Sequence, residues 1–226
     1  KVANFPGITV DVASGTLLNM PDVELMDFPG TYSLQPISAE EEVAVDYFRR
    51  ALADSEVRHV LCVVDATRLE KSLYFTLQVI RDCQRHGKPI TVLANMADVL
   101  SSNALEFDAE GLQQEVGAPI LMVSARTGTG IDAVIARLRS ALVTDDATAP
   151  RWADTPDALL RGTAHQLAHK YGPTGDVLIN AQTKLDRFFL SGLSGGMAFF
   201  AIMVVLFQAL FSWSAPFLDA VEASVA

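Results

Sequence analysis

Basic residues are scarce in this chain of 226 residues, with 17 Lys and Arg against 27 Asp and Glu and a formal net charge of −10. A surface that grips nucleic acid needs clustered positive charge, so DNA and ribosomal RNA are excluded as main partners. Cysteine is scarcer still. Cys62 lies in an apolar run and Cys83 in a helix-like one, without metal-ligand spacing, so both read as buried packing in a reducing compartment. No signal-peptide pattern is present, and the chain opens on Lys1 rather than Met inside a loop-like stretch, which leads us to expect a fragment. From Phe188 to Leu218 formal charge is absent altogether.

Half of the residues are hydrophobic, enough for one domain of ordinary size and something smaller. Lys1 to Gly7 is turn-rich, Ile8 to Ala13 alternates as a half-buried strand, Ser14-Gly15 reads as a turn and Thr16 to Met20 as the return. Val23 to Met26 leads to Asp27-Phe28-Pro29-Gly30. Ser38-Ala39-Glu40-Glu41 is a capping box, and the helix it starts is expected to reach about Ala53. Val60 to Asp65 is a continuous apolar run, the pattern of a strand covered on both faces. Leu69, Leu73, Leu77 and Ile80 keep helical spacing, with Gly87 placed to close the helix.

Further strands are expected at Pro89–Ala94 and Pro119–Val123, a short helix at Ala109–Val116, and a last amphipathic helix carrying Ile131, Val134, Ile135, Leu138 and Leu142. Alternating strands and helices imply an α/β fold with a mostly parallel sheet. Asp145 to Pro156 resembles a linker, and Asp157 to Leu190 reads as two or three short polar helices. The domain division expected is therefore 1–145, 146–190, a membrane helix over 191–218 and the start of a loop over 219–226.

The membrane helix rests on length and apolarity. Crossing the hydrocarbon core takes about 20 residues. Eleven Leu, Ile, Phe and Val side chains between Met197 and Leu218 sum to an insertion free energy on the order of −3 to −7 kcal/mol. Lys184 and Arg187 precede the span while Asp219 and Glu222 follow it, which leaves the large N-terminal part in the cytoplasm.

Three short motifs fall at three strand ends. Asp27-x-x-Gly30 puts a carboxylate at the carboxyl edge of a sheet, able to hold Mg²⁺ through water, and a bare glycine N–H that can approach a terminal phosphate. Taken alone it is also an ordinary strand end and turn. Asn95-x-x-Asp98 offers a carboxylate for the ring N–H and exocyclic amine of guanine, with Asn95 bracing the loop; taken alone it is also a helix N-cap pattern. Ser124-Ala125, followed by Arg126-Thr127-Gly128-Thr129-Gly130, can offer backbone N–H groups to the guanine oxygen. Together the three point to a GTP-binding architecture. The phosphate-cradling run G-x-x-x-x-G-K-[ST] is missing, as is the strand before it, and Lys1 has no glycine-rich surroundings to supply it.

Val2-Ala3-Asn4-Phe5-Pro6-Gly7-Ile8-Thr9-Val10, Asp27-Phe28-Pro29-Gly30-Thr31-Tyr32-Ser33-Leu34, Val64-Asp65-Ala66-Thr67-Arg68-Leu69-Glu70-Lys71-Ser72-Leu73 and Asn95-Met96-Ala97-Asp98 resemble the FeoB family of bacterial ferrous iron transport proteins. Leu185-Asp186-Arg187-Phe188-Phe189-Leu190, before the hydrophobic run, resembles the same family. The resemblance implies a P-loop GTPase-like fold lacking its first strand, a small helical domain and one transmembrane helix of a multi-pass inner-membrane parent. It implies GTP or GDP with Mg²⁺, K⁺ as a candidate activator, and Fe²⁺ as cargo not bound in this segment. The partners implied are the bilayer, the remaining FeoB membrane domain, small Feo accessory proteins and further copies of the chain. On that analogy Thr9 reaches Mg²⁺ and the γ-phosphate, Asp27 and Gly30 form a second switch, and Asn95, Met96, Asp98, Ser124 and Ala125 hold the base. Thr31 stands where many small GTPases place the Gln that orients water, so hydrolysis is expected to be slow. Met96 replaces a common Lys, keeping an apolar cover for the base and losing a cation. Other readings are a soluble regulatory or ribosome-associated GTPase, or a fragment that binds nothing. His165 and His169 share a helix face at i, i+4 and read as a solvated pair.

Overall fold

The computed structural model describes residues 3–5, 8–10, 13–17, 20–28, 33–143, 150–173, 188–192 and 194–209. It divides into two units, Lys1–Thr174 and Gly175–Ala226. In the first unit, β1 (Ala3–Phe5) and β2 (Ile8–Val10) pair antiparallel, with Asn4 opposite Thr9. The turn-rich reading of residues 1–7 therefore missed β1. Short strands flanking a Pro-Gly are dominated in sequence by the breaker, while their pairing is decided by the partner strand.

The pair β3 (Ala13–Leu17) and β4 (Met20–Asp27) forms a second antiparallel hairpin with a register shift at Thr16/Leu17. Ser14 and Gly15, expected to turn, lie inside β3 opposite Met26 and Leu25. The reversal instead falls between Leu17 and Met20. Gly15 has open space where a Cβ would stand, so nothing in the ladder requires glycine there.

Ser38 caps α1 (Ala39–Ala53) by accepting from the Glu41 N–H, while the Glu41 carboxylate accepts from the Ile37 N–H. The return bond thus reaches the residue before the cap in place of the Ser38 N–H, a capping box shifted by one residue on that side. Next come β5 (Val60–Asp65), a single 3₁₀ turn at Ala66–Arg68 and α2 (Leu69–Arg85). Gly87, at φ +64°, makes the left-handed step after α2. The chain continues through β6 (Ile90–Asn95), α3 (Ala97–Ser102), α4 (Ala109–Val116), β7 (Ile120–Met122) and α5 (Ile131–Val143).

Strands β5, β6 and β7 form one parallel sheet in that order, with Asp65 in register with Asn95. One face carries Cys62, Val64, Val92 and Ala94 against Leu69, Leu73, Leu77 and Ile80 of α2, the spacing seen in sequence. The other face carries Leu93 and Val123 against Val134 and Leu138 of α5. Val63, on that second face, is 61 % exposed. The expectation that β5 is covered on both faces therefore fails at this residue, because the α5 cluster reaches Leu61 of β5 and leaves Val63 exposed.

The described part of the segment read as a linker, residues 150–156, is docked. Trp152 is buried, its backbone N–H donating to Gln84 Oε1 at 2.7 Å and its indole N–H to the Val116 carbonyl at 2.8 Å. From there α6 (Asp157–Tyr171) packs Leu160, Ala164, Leu167 and Ala168 into the main core. It is one helix of 15 residues where shorter ones were expected, and residues 174–187 of that stretch lie outside the described set. Cys62 and Cys83 are both buried, and burial pushes the Cys62 thiol up to about 12.

In the second unit, α7 (Ser194–Gln208) is apolar and has no buried residue. At 15 residues it spans roughly 22 Å, short of the roughly 30 Å hydrocarbon core. No helix among the described residues is long and apolar enough to cross a membrane. Residues 210–218, which complete the expected span, lie outside the described set.

Candidate functional site

The three parallel strands end side by side, and the loops leaving β6 and β7 are tied to each other. Asn95, the last residue of β6, turns its side-chain oxygen to the Ala125 N–H at 3.0 Å. Three residues on, Asp98 accepts from the Ser124 hydroxyl on Oδ1 at 2.7 Å. Ser124 is fully buried, so its hydroxyl fixes the carboxylate from the protein side. The two motifs are thus bonded through both of their functional residues, Asn95 to Ala125 and Asp98 to Ser124.

The backbone supports this. Met96 sits in the left-handed region at φ +74°, an uncommon place for a side chain with a Cβ, and turns the chain between Asn95 and α3. Its side chain stays 40 % exposed beside the loop, available as an apolar cover. The Ala97 N–H donates to the Val123 carbonyl at 3.0 Å, a second tie between the loops. After Ser124 the chain folds back on itself, with Ser124 donating to the Thr129 carbonyl and Gly128 to the Ser124 carbonyl, both at 2.9 Å. Gly130 closes the loop at φ +80°, where a Cβ would lie 2.2 Å from the Met122 carbonyl oxygen. Only glycine fits there.

Asp98 also takes Arg126, whose Nε and Nη2 both donate to Oδ2, at 2.8 and 2.6 Å. The hydrogen bond from Ser124, then that from Arg126, holds the Asp98 carboxyl below its ordinary 3.8. A carboxylate that stays ionised at the end of a β–α loop is suited to accept from paired N–H donors. Sequence reasoning missed Arg126, although its place two residues after Ser124 was a usable signal.

The remaining motif residues sit on the antiparallel hairpins. Asp27 is exposed at the end of β4, and the following Phe28 ring packs on Tyr47 and Phe48 of α1 at 5.6 and 5.9 Å. Thr9 lies in β2, and Gly30 lies outside the described residues. Asp65, level with Asn95, is engaged as a cap, accepting from the Thr67 N–H at 2.9 Å and its hydroxyl at 2.6 Å. His165 pairs with Glu70 at 3.0 Å on an exposed surface, and no group of three or more His, Cys, Asp or Glu that could hold a metal occurs among the described residues.

The family model described as ferrous iron transport protein B matches residues 1–138, well over half of the chain. The chain belongs to the ferrous iron transport protein B family. Among FeoB relatives, the Fe(2+) transporter of Legionella pneumophila strain Paris is 33 % identical over 139 residues, covering 59 % of this chain and 17 % of its own length. The Salmonella typhimurium Fe(2+) transporter is 34 % identical over the same extent, again 59 % and 17 %. The chain therefore spans about a sixth of the FeoB relatives it matches.

Solved FeoB structures extend the likeness to three dimensions. A mutant NFeoB from S. thermophilus bound to GDP matches with TM-score 0.56 at 30 % identity, covering 87 % of this chain and 72 % of that one. NFeoB from the same organism, bound to GDP, tetrafluoroaluminate and K⁺, matches with TM-score 0.51 at 38 % identity, covering 66 % and 56 %. The α/β GTPase-like architecture with its parallel sheet is thus that of FeoB G domains.

Proposed function

We propose that this chain is the GTP-binding and GTP-hydrolysing cytoplasmic module of a membrane Fe²⁺ transporter, with nucleotide state coupled to iron uptake through its switch loops. The observation that carries the reading is the joined pair Asn95–Ala125 and Asp98–Ser124 at the carboxyl edge of a parallel sheet. Guanine presents a ring N–H and an amine that match an ionised carboxylate; adenine offers no such pair. The Ser124–Ala125 loop is assigned to the guanine oxygen by family likeness, the Ala125 N–H itself being held by Asn95, and Met96 is assigned to a face of the ring.

Asp27 is the residue we assign to Mg²⁺ through water, its carboxylate standing exposed at the end of β4. Thr9 and Gly30 are assigned to the ion and the terminal phosphate by family likeness. The ion supplies charge neutralisation at the phosphates; the chain's own task is to position it. With Thr31 after Gly30, hydrolysis is slow or uses another group. Iron is cargo, carried by membrane segments and not by this part.

Domain boundaries at 145 and 190, a membrane helix over 191–218, the inner-membrane location and association with the FeoB membrane domain, Feo accessory proteins or further copies belong to the same proposal. The apolar, exposed α7 supports the membrane contact. The family's phosphate loop has no counterpart in residues 1–226. Among the described residues β4 pairs only with β3, and β5 only with β6, leaving both with an edge for a further strand. We expect this chain alone to bind GTP negligibly. Competition of GDP and ADP against a fluorescent GDP analogue on the full-length protein tests the reading. Preference for GDP by orders of magnitude supports it, and equal competition by ADP removes it.

A further inference from the structure

An arginine fork already occupies the carboxylate that guanine would need. Arg126 presents Nε–H and Nη2–H to Asp98 Oδ2, while the Ser124 hydroxyl holds Oδ1. A carboxylate has about four lone-pair positions, two on each oxygen. Ser124 takes one on Oδ1 and Arg126 takes both on Oδ2. Guanine's ring N–H and amine approach as a parallel pair, one to each oxygen, so base and arginine cannot share Asp98.

We propose that Arg126 is an internal competitor for guanine: its guanidinium holds Asp98 through Oδ2 and must be displaced before a guanine nucleotide binds. The inference rests on the functional reading above. Only a ligand that uses Asp98 has to displace the fork, so the arginine acts as a weight against guanine binding and leaves other ligands untouched. Ser124, buried and bonded to the other oxygen, keeps the carboxylate in place while the fork leaves. The Arg126 side chain is 76 % exposed, against 11 % for Asp98, so the arginine can swing into solvent without moving the carboxylate.

The exposure also bounds the effect. A surface ion pair is weak and screened by salt, so release of Asp98 should change affinity by about two- to fivefold. The sign is diagnostic. Removing a positive charge near an anionic ligand by itself weakens binding, so tighter binding can only come from freeing the carboxylate.

The experiment measures fluorescent GDP and fluorescent ADP binding to the full-length protein and its Arg126→Ala, Arg126→Lys and Asp98→Asn variants, at low and high salt. The expected result is GDP binding about two- to fivefold tighter in Arg126→Ala, a smaller gain in Arg126→Lys, convergence with the unaltered protein at high salt and no change for ADP. If GDP binds and Asp98→Asn weakens it, but Arg126→Ala binds equally or less tightly, the competitor role is overturned and the guanine site stands. If GDP does not bind, or Asp98→Asn leaves binding unchanged, the guanine reading falls and the competitor role falls with it. Arg126 lies on an exposed loop, so its variants are expected to fold.

Discussion

The side-chain amide of Gln78, fully buried on α2, donates to Asp157 Oδ1 at 3.0 Å and so links the sheet-packing helix to the first residue of α6. Its oxygen accepts from the Leu34 N–H at 3.0 Å and from the Ser33 hydroxyl at 3.2 Å. One amide thereby joins the segment after Asp27-x-x-Gly30 to the helix beyond the docked Trp152.

Gln78→Leu removes the acceptor for a buried backbone donor while preserving volume. An unsatisfied buried group costs about 1–3 kcal/mol, and urea unfolding should show a loss of that size. A loss below about 0.5 kcal/mol, the scatter of ordinary surface substitutions, would mean that Leu34 finds another partner.

Asp157 gives a pH dependence. Burial raises its pKa, but the Gln78 hydrogen bond and the Arg81 guanidinium at 3.0 Å outweigh it, and the carboxyl is held below its usual 3.8. A carboxylate with a depressed folded pKa stabilises the fold above its unfolded value and loses that contribution as pH falls through the folded value. The stability gap between the unaltered protein and Asp157→Asn should be full at neutral pH and close in acid below 3.8. A gap that widens on acidification would contradict the geometry.

Gly130→Ala should be among the costlier single changes in the chain. It meets both a positive φ and a Cβ position 2.2 Å from the Met122 carbonyl. Strain of this kind costs on the order of 1–3 kcal/mol, and the loop holding Ser124 must shift to relieve it. Thermal unfolding and GDP affinity of the full-length protein should both fall. Unchanged behaviour in both would show that the loop does not depend on this turn.

Cys62 and Cys83 should resist alkylation in the folded chain, because burial pushes both thiols up and leaves little thiolate. Labelling by iodoacetamide should require denaturant. Rapid labelling at neutral pH would show that the α2–sheet contact opens readily.

How much of this was legible depended on the range of the interactions. The capping box at Ser38, the α2 stripe and the buried runs at Val60 and Ile90 are local patterns, and the elements appear where those patterns stand. The joined loops were legible too, since strand ends in a parallel sheet share one edge. The other face of α2 was not. Gln78, Arg81, Asp82 and Gln84 are buried there because α6, the Trp152 segment and the Ser33–Leu34 segment cover them, a contact between distant stretches. Trp152 was hidden for the same reason, its partners Gln84 and Val116 being far off in sequence. At Ser14-Gly15 and Asn4-Phe5, breaker residues suggested turns where pairing with a neighbouring strand prevailed.

The most direct test of the central claim is a base-preference swap at Asp98. Asp98→Asn replaces an acceptor oxygen with an N–H donor, so the site should lose guanine and gain xanthine, whose ring bears an oxygen in place of the amine. The account predicts that the full-length Asp98→Asn protein prefers xanthosine diphosphate over GDP, reversing the order of the unaltered protein. An unchanged preference for GDP would contradict it.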